Sequence, residues 1–125
     1  MDKLKKHNMI CGAMHLVQAI VIFSLASLSD NLGAVTLPIT SLFQNWDAGY
    51  PVQVLGLVTR ITFIKWCSAF AFISAGAHFT VLLCWDRYSA DLALGRNSFR
   101  WFEYSFSSSL IITLLYMQFG QFDIV

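Results

Sequence analysis

Glu103 lies in the stretch Arg100-Trp101-Phe102-Glu103-Tyr104-Ser105-Phe106-Ser107-Ser108-Ser109, at the head of an apolar run fit to cross a membrane. A carboxylate in hydrocarbon is costly unless it is protonated or paired, so it marks a functional site whose partner must be sought. Arg100, three residues earlier, either pairs with it or snorkels to the membrane surface. His15 and Gln18 are three residues apart, and Ser74 and His78 four apart, so each pair shares one face of a helix. Ser107 lies one turn beyond Glu103 on the same face, although three successive serines cover most of a helix circumference, so at least one of them only packs. Two imidazoles, a carboxylate and hydroxyls together make a hydrogen-bonded site able to hold a proton or to balance a nearby cation.

The rest of the chain says which elements must bring these residues together. Of its 125 residues, 57% are apolar and only 12% charged, with a mean hydropathy of +0.62, a composition that points to an integral membrane protein. The net charge of +1 and the lack of a basic stripe beyond Lys3, Lys5 and Lys6 argue against a nucleic-acid surface. Cys11, Cys67 and Cys84 are scattered singly in apolar surroundings, which reads as buried small hydrophobes and not as a disulfide framework or a metal site. No HExxH, no paired nucleophile and base and no second acidic residue at depth appear, so no enzyme is expected.

Three segments are long enough to span the bilayer core as helices, roughly 9–28, 64–85 and 99–119. The fold class expected is therefore an all-α membrane protein forming a single membrane domain over 1–125. The first segment follows basic residues as a secretory signal would, but its length and the lack of a small-residue cleavage site favour a retained span. An outer loop of about 29–63 follows it, in which Ala34 to Ile39 and Val52 to Thr59 are rich in β-branched residues and can pair as a small hairpin. The second connection, Asp86 to Ser98, is polar, and Asn97 or Ser98 caps the third helix.

Lys3, Lys5 and Lys6 flank the first helix, and Arg87, Arg96 and Arg100 lie at the second connection. Both regions are then cytoplasmic, amino terminus included, and the chain is multi-pass. Arg60 and Lys65 fall near the outer surface, while Trp66, Trp85 and Trp101 sit at helix ends as interfacial anchors. On this topology His15, His78 and Glu103 all lie about 6 to 11 Å below the same membrane surface. Positions far apart in sequence are thereby brought to one depth.

The chain resembles the heliorhodopsin family, the retinal-binding microbial rhodopsins of inverted topology. The likeness rests on the third-helix motif above with Asn97-Ser98-Phe99 before it. It rests also on Met14-His15-Leu16-Val17-Gln18, on Ser74-Ala75-Gly76-Ala77-His78-Phe79 and on Arg87-Tyr88-Ser89-Ala90, in order along essentially the whole chain. It implies that Glu103 is the counterion of a protonated retinal Schiff base. His15, His78, Ser74, Gln18 and Arg100 would belong to the polar cavity beside it, and Tyr104, Ser107, Ser108 and Ile111 would flank all-trans retinal. It implies too a β-structured outer loop that contributes to a homodimer. The family's retinal-bearing lysine lies in a seventh helix, whereas Lys65 here falls on the wrong side of the bilayer to meet Glu103. Since the chain stops at Phe122-Asp123-Ile124-Val125, where a fourth helix would begin, it is expected to be an amino-terminal portion completed by helices four to seven. The alternative is a stand-alone small membrane protein, a proton-conducting oligomer or a regulatory subunit, with Glu103 and the histidines lining a proton path.

Overall fold

The computed structural model describes residues 3–123. Helix α1 covers Lys3–Leu28 and α2 is the single turn Asp30–Gly33. Strands β1 (Thr36–Asn45) and β2 (Val52–Thr62) follow, then α3 (Phe63–Leu83), α4 (Trp85–Ala93) and α5 (Ser98–Gln118). Helix α3 packs along α1 on one side and α5 on the other, while α1 and α5 share little contact. Gly12 meets His78 near one end of the pair, and Lys65 reaches the Phe23 ring near the other, so α1 and α3 are antiparallel.

Small residues make that pairing close. Asn8, Gly12, Ala19 and Ala26 are the buried positions of α1, and Ser68, Ala71, Ser74, Ala75 and Val81 those of α3. Between helices in lipid the solvent is as apolar as the side chains, so association depends on close backbone approach and interhelical hydrogen bonds. Gly12 shows how tight the approach is, because a Cβ there would stand 3.0 Å from the Cβ of His78. On α5, Glu103 and Leu110 are half-buried and Ser107, Leu114 and Met117 buried. Their 4-3-4-3 spacing puts them on one stripe of the helix, the stripe that packs toward α3.

Two helices, Lys3–Leu28 and Phe63–Leu83, are long and apolar enough to cross a membrane. Helix α5 matches α3 in length at 21 residues but does not join them, because Arg100, Glu103 and its serines dilute its apolar content. The first helix begins at Lys3 and not at Met9, since lysine, histidine and asparagine extend it without a breaker. The second connection is not a plain loop. Trp85, Tyr88 and Leu92 recur at helical spacing and make α4, with Tyr88 buried against the Phe99 ring at 5.8 Å. Gly95, at φ +68, then reverses the chain, and Asn97 caps α5 by accepting the Arg100 N–H at 3.2 Å, as expected.

The hairpin is longer than its β-branched runs suggested, extending on the first strand through Asn45. It is antiparallel from Thr36 opposite Thr62 to Asn45 opposite Val52, with a bulge at Ile39/Thr40 that leaves Val58 unpaired. At the far end of α5, Gly120 with φ +82 turns the chain onto the free edge of β1. There the Thr40 N–H donates to the Phe122 carbonyl at 2.8 Å and the Thr40 hydroxyl to Asp123 Oδ1 at 2.7 Å. The expected burial of the cysteines is not general: Cys84, at the α3–α4 junction, is exposed, and Cys11 and Cys67 are half-buried.

Candidate functional site

The carboxylate of Glu103 is half-buried on the α3-facing seam of α5. Its Oε1 accepts a hydrogen bond of 3.0 Å from the hydroxyl of Ser74, which is buried on α3. A single neutral donor orients a carboxylate without neutralising it. The arrangement fixes the direction of the carboxyl group and leaves Oε2 without a hydrogen bond among the described residues.

One turn further along α3 stands His78. Its ring stacks on that of His15 from α1, with centroids 5.6 Å apart and planes 13° from parallel. Its Nδ1 lies 3.0 Å from Oδ1 of Asn8. Asn8, His78, Tyr88, Asn97, Arg100 and Glu103 all border a cavity of about 30 Å³. That is about the room of one water molecule, and the polar lining supplies the partners a buried water needs. His15, His78 and Glu103 thus occupy one layer: His78 touches His15 directly and meets Glu103 across the small cavity.

Other expected members fall elsewhere. Arg100 lines the cavity, but its Nε donates to the Tyr104 hydroxyl at 2.6 Å and its guanidinium lies 4.8 Å from that ring, so it does not pair with Glu103 among the described residues. Gln18 is exposed on the outer side of α1 beside Met14, Val17 and Val21. The physical reason is rotation: at about 100° per residue, His15 sits about 40° from the Ala19 seam, and Gln18 about 100° from it. A three-residue spacing that keeps two side chains neighbours still carries the second one out of the interface. Ser107 is 3% exposed within the α3–α5 seam, so it is the serine that packs. Tyr104, Ser108 and Ile111 form a separate exposed stripe about 100° further round α5. Beyond that stripe, Ile111, Leu114 and Leu115 of α5 and Phe63, Cys67 and Phe70 of α3 line an apolar groove of about 270 Å³.

Lys65 stands 5.7 Å from the Phe23 ring. It is nine residues, about 13 Å, along α3 from Ser74, the residue that holds Glu103. At the opposite end Lys5 lies 5.5 Å from the Trp85 ring, so the basic amino terminus and the basic second connection meet at the Glu103 end of the bundle.

Asn8 escaped the reading of the sequence. It follows a run of lysines and a histidine, just before the expected span of 9–28, yet it is 7% exposed. Its position four residues before Gly12 and seven before His15 was the available signal, since those spacings put all three on one helix face.

A protein-family model described as Heliorhodopsin matches residues 4–125. No curated protein matches the chain.

Proposed function

This chain belongs to the heliorhodopsin family, and from that membership we propose that it supplies the counterion side of a light-sensing retinal site. Bound retinal would supply light absorption and a protonated Schiff base whose positive charge needs an anion nearby. The residues present fit such a group. Glu103 is a half-buried carboxyl group positioned by Ser74, and the stripe of Tyr104, Ser108 and Ile111 leads along α5 to the apolar groove at Phe70 and Cys67. Ile111 is eight residues, about 12 Å, from Glu103, a span suited to a long apolar polyene.

In this reading Glu103 holds the negative charge, Ser74 fixes its direction, and His78 with His15 accepts or passes a proton when the charge balance at Glu103 changes. Arg100, held by Tyr104, contributes positive potential at the cavity mouth. Helix α5 serves as the third membrane span. The amino terminus lies on the cytoplasmic side, a topology supported by the meeting of Lys5 and Trp85 at the end that also carries Arg87, Arg96 and Arg100. The covalent retinal lysine comes from helices four to seven outside this chain, since Lys65 lies too far along α3. The hairpin, with Phe43, Trp46, Tyr50, Leu55 and Leu57 exposed, offers apolar surface for a homodimer of the full protein.

The observation that carries the proposal is the pairing of Ser74 with Glu103 in one layer with His78 and His15. Co-expressing the chain with a polypeptide carrying helices four to seven, then adding all-trans retinal, tests it. A visible absorption band is expected; its absence in a correctly assembled pair overturns the proposal.

A further inference from the structure

Asn8 is the buried polar residue of α1 that contacts a histidine, and its orientation is decided by its two neighbours. Its Nδ2 donates to the backbone carbonyl of Leu4 at 3.1 Å. Turning the amide over would set Oδ1 against that carbonyl oxygen, two acceptors face to face with no proton between them. The amide oxygen therefore points at His78, 3.0 Å from Nδ1. An amide oxygen can only accept, so the proton of that hydrogen bond belongs to His78 Nδ1.

We propose that Asn8 is a positioning residue that pins His78 in the Nδ1–H tautomer and leaves Nε2 as the one nitrogen at which this histidine gains and loses a proton. The neutral ring then carries its hydrogen on Nδ1 and a lone pair on Nε2. The cation carries both hydrogens, and the bond to Asn8 is the same in the two states. Nε2 has no hydrogen-bond partner among the described residues, so it is the atom free to exchange a proton. An imidazole substituted as in histidine otherwise prefers hydrogen on Nε2. Without Asn8, the exchanging lone pair would move to Nδ1, on the side of the ring that faces position 8. Gly12 and His15 support the same geometry, the first by leaving room for the His78 side chain, whose Cβ would stand 3.0 Å from any Cβ at position 12, and the second by stacking on the ring. The use of Nε2 in light-driven proton uptake rests on the photoreceptor role proposed above, whereas the tautomer itself does not.

The test is nitrogen NMR of the full chain with ¹⁵N-labelled histidine in lipid bilayers, recorded before any retinal is added, with the His78 signals assigned by their loss in His78→Gln. The wild-type chain is expected to show hydrogen on Nδ1 in nearly all molecules; hydrogen on Nε2 overturns the proposal. Asn8→Leu, which removes the acceptor, is expected to give a mixture or a majority of the Nε2–H form; an unchanged tautomer overturns it. Asn8→Asp retains an acceptor and is expected to keep Nδ1–H, so that this variant and the wild type still decide the matter if Asn8→Leu fails to fold. Adding helices four to seven and retinal afterwards separates the two claims: the expected tautomer without a pigment contradicts the photoreceptor role alone, and a pigment with Nε2–H contradicts the positioning role alone.

Discussion

Ser74 and Glu103 join α3 to α5 through one hydroxyl-to-carboxylate hydrogen bond of 3.0 Å. Among the described residues no other side-chain hydrogen bond links these two helices. A half-buried carboxylate that loses its donor keeps its desolvation cost without compensation. Ser74→Ala is therefore expected to destabilise the helix pair by about 1–3 kcal/mol, and Ser74→Thr, which keeps a hydroxyl, by less. Unfolding of the purified protein in a mild detergent checks this; equal stability of Ser74→Ala and wild type would contradict the bond's role.

The approach of α1 to α3 depends on the missing side chain at Gly12. Gly12→Val would place branched carbons against the Cβ of His78, already 3.0 Å from a Cβ at that site. A loss of about 1–3 kcal/mol is expected from overpacking, along with a widened His15–His78 separation. Gly12→Ala should cost less. Cross-linking of cysteine pairs placed across the α1–α3 seam reads the separation, and efficient cross-linking in Gly12→Val would count against this packing.

At the opposite end, Thr40 couples the hairpin to the tail of α5. Thr40→Val keeps the shape and the backbone bond to Phe122 but removes the hydroxyl that donates to Asp123, and Asp123→Ala removes the acceptor. Each is expected to cost about 1 kcal/mol, and the double variant little more than either alone, since both break one bond. Hydrogen exchange at the β1 amides should rise in all three. Fully additive effects would show that the two side chains do not act together.

Much of this arrangement was readable from residue types. The apolar runs of α1 and α3, the cap at Asn97 and the β-branched stretches of the hairpin follow from hydropathy and residue type, which are local properties of the chain. What escaped were relations set by packing. Gln18 seemed to share a face with His15, but a further rotation of about 60° takes it out of the seam. Asn8 stands one residue before the expected first span, and its burial depends on α3, whose His78 it meets. The nine residues of α4 were masked by their charges, although Trp85, Tyr88 and Leu92 held the periodicity. The pairing of Thr40 with Asp123 joins positions 83 residues apart, beyond any local pattern.

The central claim is that Glu103 is the anion that balances a bound chromophore's positive charge, and the absorption spectrum of Glu103→Gln tests it most directly. An anion beside a positive charge lowers the ground state more than an excited state in which that charge has moved away. Its removal should narrow the gap. In the chain assembled with helices four to seven and retinal, Glu103→Gln is expected to shift the visible band to longer wavelength, while Ser108→Ala, which leaves the carboxylate in place, shifts it far less. A Glu103→Gln band at the wild-type position would contradict the account.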